Sequence, residues 1–223
     1  FFDLYPFDQL IQPPMPADDL DDVPQLGIAM ARSQRRWNGF LFNDPPAEED
    51  PAYLKSLVRA YQASSSYADA KIGQLLDQLD ATGRAENTII VLWSDHGYHL
   101  GEHGFWQKSN LHEEVTRVPL IIDAPGYSSG RSRALAELMD IYPTVSELAG
   151  LKVPAEVQGQ SLVPVLKNPA ASVRRGALSL NRGNYGLRTT DWAARIREDA
   201  SSQLVTQHVK AFDSSCCSSR NCW

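Results

Sequence analysis

A chain of 223 residues with 43% hydrophobic content can bury one substantial core, or one core with a small appended unit, and is excluded from the disordered class. The formal net charge of -6, from 27 acidic and 21 basic residues without long single-sign runs, argues against nucleic-acid or polybasic membrane binding. The longest apolar runs, 89 to 93 and 118 to 122, are about five residues, against the roughly 18 to 20 of a spanning helix, so no membrane span is expected.

In chain order, the first residue is Phe1 rather than methionine, and aromatic, proline-punctuated sequence follows, which reads as a fragment or processed chain. Residues 1 to 50 hold seven of the fourteen prolines, an acidic cluster (Asp18, Asp19, Asp21, Asp22) and the pair Arg35 and Arg36, and suit an irregular surface excursion with short helical pieces. From Pro51 the pattern changes: Leu54, Leu57, Val58 and Tyr61, then Ala68, Ile72, Leu75, Leu76 and Leu79, recur at helical spacing. Pro51 stands near the first turn and Gly83 beyond the end, predicting one long amphipathic helix.

Residues 88 to 93 and 118 to 123 are apolar and β-branched, as expected of strands covered on both faces in a parallel sheet. The connection between them, 94 to 117, has the length of a functional loop. A further helix is expected over 135 to 150, stopped by Gly150, and short strands over 177 to 180, 185 to 190 and 192 to 196. Cys216, Cys217 and Cys222 are confined to the last eight residues, so no disulfide framework staples the body.

Helix, strand, long loop, strand, helix is α/β architecture, in which ligands gather outside the carboxyl ends of strands. Asp95 and His96 stand there, able to converge on one ion, with Gly97 allowing a sharp exit. A loop aspartate beside a solvated histidine is the plain alternative. His99 and His103, four apart with Glu102 between them, would share a helix face with room for a metal, but Gly104 and the loop context favour surface or substrate-rim positions. His112 reads as a solvated loop residue, and Arg117 as a brace of the loop or, alternatively, a partner for an acid group of the substrate. Tyr142, Pro143 and Leu148 are expected to pack their helix on the sheet, and Asp140 to cap it.

Four blocks carry a resemblance: residues 87 to 103 (Asn-Thr-Ile-Ile-Val-Leu-Trp-Ser-Asp-His-Gly-Tyr-His-Leu-Gly-Glu-His), 114 to 122 (Glu-Val-Thr-Arg-Val-Pro-Leu-Ile-Ile), 139 to 145 (Met-Asp-Ile-Tyr-Pro-Thr-Val) and 159 to 166 (Gly-Gln-Ser-Leu-Val-Pro-Val-Leu). In this order they resemble sulfatases, specifically of the iduronate-2-sulfatase type, over roughly residues 1 to 204. The resemblance implies an α/β fold with an alkaline-phosphatase-like mixed sheet flanked by helices, present in part, with the start of a small carboxy-terminal β-rich subdomain. It divides the chain into an excursion at 1 to 50, the α/β part at 51 to 170, the small subdomain's start at 171 to 204 and a divergent tail at 205 to 223.

It further implies sulfate-ester hydrolysis, with Asp95 and His96 matching two ligands of one Ca2+ and Lys108 matching the lysine that holds the sulfate. His99 and His103 stand as further substrate contacts. Calcium rests on the family, because an imidazole ligand alone points to zinc or manganese. Relatives use a formylglycine and two further aspartates from sequence preceding Phe1. Cys216 and Arg220 mimic the modification-motif spacing, but Ser218 stands where the proline belongs. The implied partner is a sulfated small molecule or glycan, in a periplasmic or secreted setting by family habit. A phosphodiesterase or phosphonate hydrolase of the same superfamily, and an inactive glycan-binding remnant, are the alternatives.

Overall fold

The computed structural model describes residues 1–13, 16–19, 21 and 50–197, with backbone alone at 195–197 and at 205–208. Asp22, Arg35, Arg36, Arg220 and the three cysteines lie outside the described residues. The chain divides into two compact units, one formed by Phe1–Thr88 with His96–Pro119 and the other by Ile89–Asp95 with the chain from Leu120 onward.

The first unit is built on helix α1, Pro51–Ala81. Asp50 starts it by accepting the Ala52 N–H at 2.9 Å, and Pro51 sits where its missing donor costs nothing. Gly83, at φ +67°, closes it in the left-handed region. Its first half buries Tyr53, Val58 and Ala63; in the second half Ile72 and Leu79 are half-buried while Leu75 and Leu76 are exposed. Arg59 ties the amino-terminal turns Phe2–Leu4 and Phe7–Gln9 to α1 by donating to the carbonyls of Tyr5 (2.8 Å) and Phe2 (3.0 Å). The hairpin of β2 (His99–Leu100) and β3 (Trp106–Gln107), then the short helix α2 (Glu113–Thr116), complete the unit, with Phe105, Trp106 and Val115 buried.

In the second unit, β1 (Ile90–Trp93) pairs with β4 (Leu120–Asp123) from Ile90 opposite Asp123 to Trp93 opposite Leu120. The pairing is antiparallel, which corrects the expectation of parallel neighbours. A continuous apolar run reports burial and carries no direction, and Trp93 and Ile121 remain exposed. Four antiparallel strands follow in sequential order, β5 (Ala177–Asn181), β6 (Asn184–Arg188), β7 (Trp192–Arg197) and β8 (Val205–His208). The fourth extends the expected β-rich element into the tail.

The helix expected from 135 begins only at Ile141: a tight turn at Leu138–Asp140 precedes α3, Ile141–Leu148. Pro143 fixes that start, because proline is tolerated only where a helix leaves N–H groups unbonded. Pro143 is buried, but Tyr142 is exposed and does not pack as expected. Asp140 also departs from expectation. It stands at the N-cap of α3 without making a side-chain cap bond. Instead, its wholly buried carboxylate accepts from Glu137 N (2.8 Å), from Gln160 N (2.8 Å) and from Arg174. Arg174 also pairs with Glu137 at 2.7 Å, while Thr144 Oγ1 donates to Asp140 O and accepts from Leu162 N. The helix α4, Val163–Lys167, thus starts from a turn tied to α3.

Candidate functional site

The loop after β1 bends at Asp95 and then runs against Glu114 and Val115 at Gly97. Its N–H donates to Val115 O at 2.8 Å, and a Cβ there would lie 1.9 Å from Glu114 O, so only glycine lets the two backbones meet this closely. Asp95 is exposed directly after the strand. His96 is half-buried, and its Nδ1 lies 2.8 Å from Gly97 O while its Nε2 lies 2.6 Å from Lys108 Nζ. A lysine ammonium only donates, so Nε2 carries the lone pair and Nδ1 the proton, donated to the carbonyl. This is the tautomer of a metal-binding histidine held by a backbone acceptor. The His96 ring therefore fits a cation: the Nε2 lone pair can accept either the Lys108 ammonium or a divalent ion.

Beyond His96 the chain needs left-handed backbone repeatedly: Gly101 (φ 121°), His103 (φ 56°), Gly104 (φ 69°) and Gln107 (φ 71°). These bends make a hairpin where a helix would have put His99 and His103 on one face. His99 is wholly buried, so the rim position does not hold for it; its Nε2 meets Asn110 Oδ1 at 3.2 Å. His103 is partly exposed, with Nδ1 3.0 Å from Asp19 and Nε2 3.3 Å from Glu114. Nor is His112 a solvated loop residue: its ring lies 5.4 Å from those of both His99 and His103. Read from sequence alone, His112 has only a solvated-loop reading and Glu114 and Asp19 have no site role, because their separations match no helical or strand period. The glycines flanking Glu102 and His103 were the available signal of a reversal.

The electrostatics follow from these contacts. The hydrogen bond to Glu114 raises His103 to about 9, with the charges of Glu114 and Asp19 adding to it against burial. Burial acts upward on Glu114, but hydrogen bonds from His103 and its own backbone, with the charges of His99 and His103, outweigh it and hold the carboxyl at about 2. Burial pushes His99 down, against Glu114, Asn110 and Glu102. In metal-free protein the folded His103 keeps a proton that the unfolded chain loses near pH 6.5, so stability falls from there up to about pH 9. Below about pH 4.5 the unfolded chain protonates Glu114 first, and stability falls again toward pH 2. Urea unfolding across pH 6 to 9 is expected to show this decline, and His103→Gln to flatten it; equal slopes in both proteins would discard the pair as its source.

The chain spans between about a fifth and two fifths of the length of the curated relatives it matches. It is 33% identical over 212 residues to a sulfatase of Formosa agariphila, covering 92% of this chain and 39% of that protein. It is 33% identical over 184 residues to iduronate 2-sulfatase of Mus musculus, covering 69% of this chain and 33% of that protein. A solved structure of BT4656 in complex with its substrate D-glucosamine-2-N,6-O-disulfate superposes with a TM-score of 0.68 at 30% identity, covering 88% of this chain and 42% of that one. The fold is thus the alkaline-phosphatase-like α/β fold, present in part. The sulfatase family model matches residues 18–151, more than half of the length and all of the loop after β1, and the chain belongs to the sulfatase family.

Proposed function

We propose that the protein hydrolyses sulfate esters of a sulfated sugar or small molecule, with Asp95 and His96 as ligands of one Ca2+ and Lys108 as the sulfate-holding cation. The observation that supports this most directly is the 2.6 Å approach of Lys108 Nζ to His96 Nε2 across twelve residues of loop. It brings a mobile point charge to the imidazole that directly follows Asp95. A divalent ion, when bound, supplies Lewis acidity toward a non-bridging sulfate oxygen.

What the chain's own residues do is simpler. Gly97 O holds the Nδ1 proton of His96 so that Nε2 keeps its lone pair, and Asp95, the preceding residue in the chain, is the proposed anionic ligand. Lys108 binds a sulfate oxygen and stabilises negative charge as the ester bond breaks. His103, paired at both ring nitrogens, holds the loop that presents them, and any contact of His103 with substrate is through its exposed ring edge. The likeness to an iduronate 2-sulfatase and to a glucosamine-disulfate complex supports a sulfated glycan as the substrate class.

In active enzyme carrying this chain, Lys108→Ala is expected to lower kcat/KM for a sulfated monosaccharide by about 10²-fold or more. Calcium titration should show Asp95→Ala losing the ion. Phosphate-ester turnover exceeding sulfate-ester turnover would instead favour the phosphoryl-transfer reading, and a Lys108→Ala enzyme with unchanged kcat/KM would remove Lys108 from the sulfate site.

A further inference from the structure

Away from His96 and Lys108, the first unit gathers three more histidines around Glu114. The most constrained is His99. Its side chain is wholly buried, and Nδ1 has no hydrogen-bond partner. Asn110 Oδ1 accepts the backbone N–H of His112 at 2.9 Å, which fixes the amide's orientation. That same oxygen faces His99 Nε2, so Nε2 carries the proton and Nδ1 is a bare lone pair. The nearest carboxylate oxygen, Glu102 Oε2 at 3.8 Å, already accepts from Leu100 N at 2.6 Å. A buried acceptor left empty costs about 1–3 kcal/mol and calls for an explanation.

His112 and Glu114 supply one. One ligand atom from each of His99, His112 and Glu114 lies within 4.8 Å of the others. Donors around a tetrahedral ion with bonds of about 2.0–2.1 Å stand roughly 3.4 Å apart, so ring rotations of about an ångström would complete the set. The surroundings have the form of an outer shell: Asn110 orients His99, and His103 holds one Glu114 oxygen at 3.3 Å. Two imidazoles and one carboxylate form a borderline donor set suited to Zn2+ and neighbouring first-row ions, whereas Ca2+ demands six to eight oxygens.

We propose that His99, His112 and Glu114 form a second metal site, selective for Zn2+-type ions and separate from the Asp95 and His96 pair. Bound there, the ion joins β2 to the start of α2 and fixes the loop from inside.

The probe is Co2+, whose visible absorption reports tetrahedral ligation, titrated into the full chain with Ca2+ in excess and then displaced by Zn2+. One equivalent should bind and be displaced. His112→Ala, on a half-buried side chain, should weaken binding by about tenfold or more while circular dichroism shows the fold intact. His99→Ala carries less weight, since a wholly buried residue can take the fold with it. Asp95→Ala should leave Co2+ affinity unchanged. No stoichiometric binding to the folded chain, or an unaltered affinity in His112→Ala, overturns the site. Loss of Co2+ in Asp95→Ala also overturns it, by placing the ion at Asp95 and His96, and leaves the sulfatase reading standing.

Discussion

Arg174→Ala is expected to destabilise the second unit by about 3–5 kcal/mol, the cost of removing one partner from a buried ionic network. Asp140 is wholly buried and Arg174 nearly so, and the guanidinium answers two carboxylates at once. Deleting it leaves both anions without their cation in a medium that screens poorly. The damage spreads because Asp140 and Glu137 also hold the backbones of Gln160 and Leu178. Urea unfolding should show a lower midpoint with little change in slope. Asp140→Asn alone should also destabilise, and the double variant should lose less than the sum of the two. A loss below about 1 kcal/mol for Arg174→Ala would place the network in the weakly contributing class of exposed pairs.

The second large effect is expected at Gly97. A methyl group there would meet Glu114 O at 1.9 Å and Glu114 C at 3.0 Å. Both atoms are backbone and cannot swing away, so Gly97→Ala forces the start of α2 off the bend. The cost is expected at about 3 kcal/mol, the upper end for overpacking. His96 follows, since its Nδ1 is held by the carbonyl of Gly97. Calcium affinity and the Lys108 contact should decline together. Gly73 is the control: it lies inside α1 with nothing within 4 Å of an added Cβ. Gly73→Ala should stabilise by roughly 0.5–1 kcal/mol. Equal responses at the two positions would mean that the close approach at Gly97 is relaxed in solution.

What could be read from sequence was what repeats locally. Helix α1 was legible because its start, period and glycine stop all lie within one stretch of chain, and β5 to β7 because short runs holding Leu178, Leu180, Tyr185, Leu187 and Trp192 are separated by Arg182-Gly183 and by Thr189 to Asp191. Strand direction was not legible, since the same apolar run serves either pairing and the connection between β1 and β4 is long enough to return both ways. Asp95 and His96 stood out by their place after the predicted strand and by motif resemblance, and Lys108 by resemblance alone; the twelve-residue gap that the His96 contact closes obeys no period. Asp140 illustrates the limit well. Its position before a helix suggested a cap, yet its ionic partner is 34 residues away and nothing local marks Arg174. The histidine cluster was missed for the same reason, the hairpin that assembles it depending on successive left-handed residues.

That hairpin also dictates an order of events during folding. His103 and Gln107 hold conformations that ordinary side chains disfavour, and His103 is anchored by an aspartate 84 positions earlier in the chain. Local preference therefore opposes the loop until its distant anchors have arrived, and closing so large an excursion is entropically slow. Helix α1 can form early from its own cap and periodicity. The loop that carries His96 and Lys108 settles late, so a nascent chain acquires α1 well before it acquires the proposed site.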